Sequence, residues 1–350
     1  MSSAALSAIV IDNGSYTIKA GLTGEDDPKS IFRTVVHTSG GEIRPVGEAV
    51  NPIGDSHYPI RRGVPCDWDA LEGVWEYTFK DVLKVTPREH KVLLTDRPLA
   101  ERANREKAVQ IMFEKFSTPA TYVSMQALLA LYGSGRTSGT VVDVGDGLTS
   151  VVPIVKSTPV KEAIVNVDLA GCDMVDYLAG ALNVGDREVA REVMEKVCAV
   201  SANMAQESAH TVECKTAHGT VVTVGAERFR CGEALFNPAA IGHQQGRALP
   251  ELIAGSVASC KEATRKDLYA SIVLAGGSTK LRGFSERLQQ ELAGRIPSTN
   301  RFKVVVAQDP TLTVWAGGCL VAQSPVFDQY WVTKEEYEEH GAEIVHRKCV

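Results

Sequence analysis

Two hairpin patterns, 131 positions apart, constrain the fold of this chain more than any other feature. The first is AIVIDNGSYTIKAG, from Ala8 to Gly21, and the second is GTVVDVGDGLTSVVPI, from Gly139 to Ile154. In each pattern an apolar strand reaches an aspartate, Asp12 or Asp143, a glycine follows two residues later, and a second strand returns. Because this separation is about the length of one domain, the repeat predicts two homologous α/β halves whose hairpin tips face each other across a cleft.

Strand and helix patterns alternate along the rest of the chain, which indicates an α/β architecture. KVLLTD is typical of a buried strand, and ERANREKAVQIMFEKF predicts an amphipathic helix. Apolar residues at helical spacing also predict helices over WDALEGVWEYTFKDVL and over DREVAREVMEKVCAV, the second with a face formed by Val189, Val193 and Val197. An apolar helix is predicted over PATYVSMQALLALYG, beginning after Pro119. ASIVLAGGSTKLRGFSERLQQEL predicts a strand, a glycine-rich turn and a helix. The polar tract of residues 37–57 predicts a small satellite lobe or a long loop.

Composition narrows the class of protein. The 350 residues suffice for two domains, and 44% hydrophobic with 23% charged residues is typical of a soluble globular protein. A formal net charge of −6 argues against non-specific binding to nucleic acid or to anionic membranes. We expect neither a membrane span nor a signal peptide. The eight cysteines form no C-x-x-C pair, so we expect reduced thiols in a cytosolic compartment and no zinc site.

The two hairpin turns are candidates for phosphate binding. Turns rich in glycine and serine expose backbone N–H groups that form an anion site, and an aspartate at a strand end is placed to hold Mg²⁺. The alternative is structural, because Asn-Gly and Asp-Gly are the commonest hairpin turns. A third glycine-rich turn, LAGGSTKLRG, follows another buried strand and favours phosphate.

Three polar side chains lie on predicted helices. Gln126 lies within an apolar segment, where its amide either positions a water for attack on phosphate or hydrogen-bonds to the backbone. Arg191 and Glu195 are four residues apart, which is the spacing of an ordinary exposed ion pair.

Several long stretches of the chain resemble actin. The resemblance runs from about Ile9 to the last residue, and its most specific part is ANREKAVQIMFEKFSTPATYVSMQALLALYGSGRTSGTVVDVGDG. Further matches are DNGSYTIKAG, VDLAGCDMVDYL, ERFRCGEALF, RKDLYASIVLAGGST, VWAGGCLVA and IVHRKCV.

The resemblance implies the actin-like fold of the sugar-kinase and heat-shock ATPase superfamily, with two lobes of two subdomains around a nucleotide cleft. The first lobe would have a large subdomain of residues 1–32, 58–133 and 314–350 and a shortened small subdomain of residues 33–57. The second lobe would have a large subdomain of residues 134–169 and 249–313 and a small subdomain of residues 170–248.

The resemblance also implies a binding site for ATP or ADP with Mg²⁺ or Ca²⁺. The metal's water shell would face Asp12, Gln126 and Asp143, and the residues closest to hydrolysis would be Gln126, Asp143 and Ser150. The residues that would contact the nucleotide are Asp12, Gly14, Ser15, Tyr16, Thr17, Lys19, Gly145, Asp146, Gly147, Gly171, Arg191, Glu195, Gly276, Gly277 and Ser278. For Arg191 and Glu195 the resemblance therefore favours a binding role over the exposed ion pair.

Five departures from the family lie at this site. Tyr16 replaces a glycine in the first phosphate loop, where its side chain would crowd the γ-phosphate position. Ser150 replaces a histidine near the attacking water, and a serine hydroxyl does not accept a proton near neutral pH as imidazole does. Around the base, Met194, Leu281 and Thr311 replace a lysine, a tyrosine and another lysine. Together they predict weaker nucleotide binding and slower hydrolysis.

Other departures lie on the outer surface. Only 21 residues separate Val36 from Tyr58, whereas the family has a markedly longer segment there, which contains the loop that contacts the next subunit of a filament. Two segments of the second lobe are also shortened. Arg62 replaces the family's modified histidine, and the acidic cluster that engages myosin is missing from the N-terminus.

We therefore expect a specialised actin-like protein that binds a Mg-adenine nucleotide and serves as a structural subunit of a larger cytoskeletal or motor-associated assembly. It would be at most a slow ATPase. Expected partners are other cytoskeletal or motor-complex proteins, with conventional actin a further candidate, and no direct nucleic-acid contact. The expected location is the cytoplasm and cytoskeleton, with an axonemal or nuclear complex left open. The alternatives are a conventional polymerising actin ATPase of a divergent organism and, less favoured, a small-molecule kinase of the same superfamily.

Overall fold

The computed structural model describes residues 7–39, 42–45, 56–203, 207, 210–217 and 219–349. The chain divides into two compact units. The first unit consists of residues 1–137 and 311–350, and the second unit consists of residues 138–310.

Strands of the first unit begin and end as follows: β1 Ile9–Asn13, β2 Thr17–Leu22, β3 Ser30–Arg33, β4 Val36–Ser39, β5 Glu42–Pro45, β6 Ser56–His57, β7 Ile60–Arg61, β8 Val64–Pro65, β9 Val92–Asp96 and β10 Ala120–Met125. The second unit contains β11 Gly139–Val144, β12 Thr149–Val155, β13 Thr158–Pro159, β14 Val165–Val167, β15 Val212–Lys215, β16 Val221–Val224, β17 Ile272–Ala275 and β18 Val304–Val306. The chain then returns to the first unit with β19 Val332–Thr333.

The α-helices are α1 Trp68–Tyr77, α2 Arg102–Glu114, α3 Gln126–Gly133, α4 Gly171–Ala181, α5 Arg187–Val197, α6 Glu227–Glu233, α7 Leu249–Ala258, α8 Glu262–Tyr269, α9 Phe284–Ala293, α10 Thr313–Gln323, α11 Lys334–His340 and α12 Val345–Lys348. Helix α1 continues into a π-helical turn, Thr78–Leu83.

The main sheet of the first unit has the strand order β19-β10-β9-β1-β2-β3. Strand β1 forms an antiparallel hairpin with β2 and runs parallel to β9, which in turn runs parallel to β10. The first three residues of β1, Ile9, Val10 and Ile11, are apolar and fully buried. A parallel strand covered on both faces is expected to show such a continuous apolar run.

The main sheet of the second unit repeats this arrangement. Its order is β13-β12-β11-β17-β18, with β14 also paired to β12. Here β11 forms the antiparallel hairpin with β12 and runs parallel to β17. The registers correspond as well, because Asp12 pairs with Lys19 in one hairpin and Asp143 pairs with Ser150 in the other. Each unit thus contains the α/β arrangement that the repeated pattern predicts.

The prediction of one helix over PATYVSMQALLALYG is wrong. The segment forms the strand β10 and then the short helix α3. All six residues of β10 are buried, so the strand shows no alternation of apolar and polar residues that would distinguish it from a buried helix. Pairing with β9 decides the structure, and Gln126 is consequently the first residue of α3 rather than an interior one.

Helix α10 packs very closely on α3. A Cβ atom added to Gly317 would lie only 1.8 Å from the carbonyl oxygen of Leu129, and one added to Gly318 would lie 2.8 Å from Val10. Only glycine allows the two helix backbones to approach so closely while α10 also touches β1. This contact fixes α3, and therefore Gln126, against the sheet.

Helix α5 has the predicted valine face. Val193 is fully buried in a small cluster with Cys214, Val222 and Val224, and Val189 and Val197 pack against it. In the tract of residues 37–57, strands β4, β5 and β6 form a three-stranded sheet, while residues 40, 41 and 46–55 lie outside the described part of the chain. The four predicted subdomain boundaries stay a prediction.

The eight cysteines all lie in the described part of the chain and form no disulfide, and all except Cys66 and Cys172 are buried as small core residues. Among the described helices, none combines the length and the apolar character that crossing a membrane requires.

Candidate functional site

Three side chains contact the carboxylate of Asp12. Thr95 Oγ1 donates a hydrogen bond to Asp12 Oδ1 at 2.8 Å, and Gln126 Nε2 donates to the same oxygen at 3.0 Å. Lys19 Nζ lies 3.3 Å from Asp12 Oδ2. The residue is only 2% exposed, so these contacts are needed to stabilise its charge. The structure therefore brings together three predicted site residues, Asp12, Lys19 and Gln126.

Strand pairing explains this convergence. Asp12 and Lys19 are direct partners across the β1–β2 ladder, which places their side chains on the same face. Thr95 lies near the end of β9, the parallel neighbour of β1, and carboxyl ends of parallel strands meet at one edge of a sheet. The sequence patterns did not indicate Thr95 as a site residue, although KVLLTD was correctly predicted to be a buried strand.

A second layer of hydrogen bonds holds the turn from behind. The N–H of Asn13 donates to Thr95 Oγ1 at 2.9 Å, and its side-chain amide donates to the Thr95 carbonyl at 3.2 Å. The indole N–H of Trp75, a fully buried residue of α1, donates to Asn13 Oδ1 at 3.0 Å. The position of Asp12 is thus tied to the packing of α1.

Backbone groups of the first turn are oriented by Thr34. The carbonyl of Gly14 accepts from Thr34 Oγ1, and the carbonyl of Tyr16 accepts from the Thr34 N–H, both at 2.8 Å. Every peptide bond in the described chain is trans. In a trans peptide, the carbonyl of one residue and the N–H of the next residue point in opposite directions. The N–H groups of Ser15 and Thr17 therefore point away from Thr34, as an anion-binding turn requires.

The side chain of Ser15 contacts a second hairpin of the first unit, formed by β7 and β8. The N–H of Gly63 donates to Ser15 Oγ at 2.9 Å. The two turn residues, Arg62 and Gly63, both have positive φ, 51° and 73°. This is the backbone of a type I′ hairpin turn, in which arginine at the first position is unfavourable.

The turn of the second unit is oriented in a similar way by the start of α4. The carbonyl of Gly145 accepts from the Gly171 N–H and from Ser278 Oγ, both at 3.0 Å. The carbonyl of Asp146 accepts from the Cys172 N–H at 2.8 Å. By the same trans-peptide geometry, the N–H groups that follow these carbonyls, those of Asp146 and Gly147, point away from α4.

The third glycine-rich turn lies directly against Asp143. Gly276 has φ of +84°, and a Cβ atom there would lie 2.4 Å from Asp143 Oδ1 and 2.4 Å from the Val144 carbonyl oxygen. Only glycine satisfies both the backbone conformation and the available space. Ser150 is 3% exposed and pairs with Asp143 across the ladder, so their side chains lie on the same face.

Arg191 pairs with Asp146, an interaction that the sequence did not predict. Arg191 Nη2 lies 2.7 Å from Asp146 Oδ1, and the two side chains are 9% and 18% exposed. Glu195, one turn further along α5, is exposed, while Met194 is buried. Arg191 thus lies beside the second hairpin turn, and its predicted role there remains a proposal.

The predicted site residues fall into two groups, one in each unit. The first unit holds Asp12, Gly14, Ser15, Tyr16, Thr17, Lys19 and Gln126, and the second holds Asp143, Gly145, Asp146, Gly147, Ser150, Gly171, Arg191, Glu195, Gly276, Gly277 and Ser278. Within the described residues, no three His, Cys, Asp or Glu side chains are grouped closely enough to hold a metal ion by themselves. Any divalent cation would therefore need water and ligand oxygens in its coordination shell.

Comparison with known protein families agrees with the fold and with the two hairpins. The family model described as Actin matches residues 3–188 and 182–350, so this chain belongs to the actin family.

Proposed function

We propose that this actin-family protein binds a Mg-adenine nucleotide through its two Asp-x-Gly hairpins and acts as a structural subunit of a larger cytoskeletal or motor-associated assembly, with weak or no ATP hydrolysis. Its expected setting is the cytoplasm and cytoskeleton. The family supports the general assignment, and the nucleotide, its cation and the assembly are our inference.

One observation carries the nucleotide proposal. In each unit, the carbonyls of an Asp-x-Gly hairpin turn are bound on one side, by Thr34 in the first unit and by α4 and Ser278 in the second. The N–H groups of both turns consequently point to the opposite side, next to a strand-end aspartate. A turn that only reverses the chain does not need hydrogen bonds to its carbonyls, yet both turns have them.

The remaining residues fit the phosphates and sugar of a nucleotide. Lys19 and Arg191 supply positive charge beside the two turns, and each is already held by an aspartate. Gly171 and Gly276 let their backbones pack directly against the second turn, where a Cβ atom would contact Asp146 or clash with Asp143 and so displace the turn. Asp12 and Asp143 would hydrogen-bond the water shell of a divalent cation, which supplies charge neutralisation for the phosphates.

We expect weak ATP hydrolysis because neither Gln126 nor Ser150 can accept a proton from the attacking water. Gln126 can orient a water through its amide, but an amide does not accept a proton near neutral pH. Ser150 has the same limit, and its burial beside Asp143 leaves it little freedom. The chain therefore keeps groups that position water and lacks, at the position of Ser150, the family's histidine.

Native mass spectrometry of gently purified protein tests this proposal. We expect a bound adenine nucleotide, together with a rise in melting temperature when millimolar MgATP is added after nucleotide removal, because a ligand of the folded state stabilises it by mass action. The variant Asp143→Ala should lose most of this thermal shift.

Asp176→Ala is the matched control. Asp176 is an exposed aspartate of the second unit, and in the described contacts it pairs only with the surface residue Arg187. It should keep the full shift. Absence of both copurified nucleotide and thermal shift in the unaltered protein would refute nucleotide binding.

A further inference from the structure

Tyr16 occupies a position of the first hairpin turn where a side chain would be expected to interfere with a bound phosphate. Its aromatic ring is covered by the guanidinium of Arg33, whose Cζ lies 4.2 Å from the ring centroid. Arg33 belongs to β3 and is the ladder partner of Thr17, the residue after Tyr16. The contact is a cation–π stack between the turn and the neighbouring strand.

Tyr58 fixes the other side of the arginine. Arg33 Nη2 donates a hydrogen bond to the Tyr58 hydroxyl at 2.5 Å, and Cζ lies 5.9 Å from the Tyr58 ring. All three side chains are half-buried, so solvent screens the stack less than it would on an open surface. A planar guanidinium suits this place between two rings better than a flexible ammonium.

The stack lies on the side of the turn that faces β3. The Tyr16 carbonyl accepts from the N–H of Thr34, the residue that follows Arg33, whereas the N–H groups of Ser15 and Thr17 point away from Thr34. The ring is thus tied to a residue of β3, whereas these N–H groups point away from the next residue of that chain segment, Thr34.

We propose that Arg33 is a positioning residue that holds the Tyr16 ring away from the anion-binding side of the turn and so makes this turn compatible with a terminal phosphate. This inference rests on the proposed nucleotide binding. Without Arg33, the Tyr16 ring loses its stacking partner on β3, and other χ1 rotamers let it compete with the γ-phosphate for the same space. Loss of Arg33 should therefore weaken binding of MgATP more than binding of MgADP.

A double-mutant cycle in the full-length protein tests the proposal. The Kd values of MgATP and MgADP are measured by calorimetry after nucleotide removal for the unaltered protein, Arg33→Ala, Tyr16→Gly and the double variant. We expect Arg33→Ala to weaken MgATP binding roughly tenfold, about 1.4 kcal/mol, with a smaller effect on MgADP. Adding Tyr16→Gly should restore MgATP affinity to within about threefold of its original value, because no ring is left to exclude.

Two further variants separate positioning from general stability. Arg61→Ala removes an exposed arginine of the same unit and should leave both Kd values unchanged. Arg33→Lys keeps the positive charge but removes the planar guanidinium that stacks on the Tyr16 ring. Its MgATP affinity should therefore be as low as that of Arg33→Ala. Circular dichroism and melting temperature of the nucleotide-free variants show whether Arg33→Ala is folded, and a misfolded Arg33→Ala that Tyr16→Gly does not rescue counts against positioning.

The outcomes distinguish the two levels of inference. If the unaltered protein binds neither nucleotide, the proposed function itself fails and the positioning role fails with it. If it binds MgATP but the double variant remains as weak as Arg33→Ala, the proposed function stands and the role of Arg33 is refuted. Equal losses for MgATP and MgADP would likewise contradict steric competition at the terminal phosphate.

Discussion

At the scale of single residues, the buried carboxylate of Asp12 connects the parts of the first hairpin site. It accepts from Thr95 and Gln126 and pairs with Lys19, and Thr95 in turn accepts from the Asn13 N–H. The resemblance to a family identified three of these residues by their motifs. Thr95 was missed because its role depends on the pairing of β9 with β1, which joins residues more than 80 positions apart.

The pairing of Arg191 with Asp146 was missed for the same physical reason. The i,i+4 spacing of Arg191 and Glu195 is a local signal, and it correctly indicates neighbours on one helix face. It contains no information about a turn 45 residues earlier that lies against that face. Local patterns predicted the two hairpins of the site, and the contacts between elements required the structure.

Ser150→His is predicted to increase ATP hydrolysis. An imidazole accepts a proton near neutral pH and the serine hydroxyl does not, and a general base commonly contributes a factor of ~10²–10³. We expect the unaltered protein to release phosphate more slowly than a conventional actin and the variant to gain roughly tenfold or more in single-turnover phosphate release. Ser150→Ala is the control and should show no gain. Phosphate release by the unaltered protein at the rate of a conventional actin would contradict this prediction.

At the scale of elements, β10 shows where sequence patterns fail and α1 shows where they succeed. The six buried residues of β10 carry no alternation, so the strand was taken for the start of a helix. In α1 the apolar spacing was correct, and Leu71, Val74 and Trp75 are buried on one face. The start of α1 is fixed by a capping aspartate, Asp67.

Asp67 should stabilise α1 in a pH-dependent way. Its Oδ1 accepts from the Ala70 N–H at 2.9 Å, and its Oδ2 lies 2.8 Å from His57 Nε2. The Ala70 hydrogen bond is the main cause that lowers the pKa of Asp67, opposed by burial and helped by His57. Because the pKa is lower in the folded state, the stabilisation is present above the unfolded value of about 3.9 and is lost as the pH falls through the folded value.

Hydrogen exchange of the first turn of α1 measures this contribution. At pH 7, Asp67→Ala should speed local exchange by an amount that corresponds to about 1 kcal/mol, the usual cost of losing an N-cap. At a pH below the folded pKa, the difference from the unaltered protein should shrink. Asp67→Asn keeps a neutral acceptor and should differ little from the unaltered protein at low pH. An equal effect of Asp67→Ala at both pH values would show that the charge of the cap is irrelevant.

At the scale of the whole molecule, the repeated hairpin predicted more than any single motif. Both units have a hairpin joined to a parallel strand in the same order, and the ladder partners of Asp12 and Asp143 correspond. The sequence could predict this repeat because each hairpin is local, with only a few residues in its turn. The small sheet β4–β6 was not predicted in detail, because the polar residues around it carry no clear period.

The C-terminal segment is fixed to the first unit by charged and polar contacts. Arg105 Nη1 donates to the Cys349 carbonyl at 3.1 Å, and His346 Nε2 lies 2.6 Å from Glu106 Oε1. Burial raises the pKa of the Cys349 thiol to about 12, so this thiol stays protonated and apolar at neutral pH. These contacts hold residues 344–349 against α2 of the first unit.

The last prediction concerns assembly: this chain should not form long homopolymers of the ordinary actin kind. A head-to-tail filament needs two complementary surfaces that repeat without limit. The surface around the C-terminal segment is kept, but only 21 residues separate Val36 from Tyr58, whereas the family has a longer segment there that contacts the next subunit. Residues 46–55 of this shortened segment lie outside the described part of the chain, so the prediction rests on its length.

Losing a loop that buries even ~200 Å² of apolar surface removes about 5 kcal/mol from each contact at roughly 25 cal/mol per Å². A filament that sums many weak contacts should not tolerate this loss, whereas the remaining surface can still bind a different protein in a heteromeric assembly. Sedimentation of the protein at micromolar concentration in MgATP, followed by negative-stain microscopy, measures the outcome, with conventional actin as the positive control. We expect the protein to stay in the supernatant, and abundant helical filaments of this chain alone would show that the shortened segment does not prevent polymerisation.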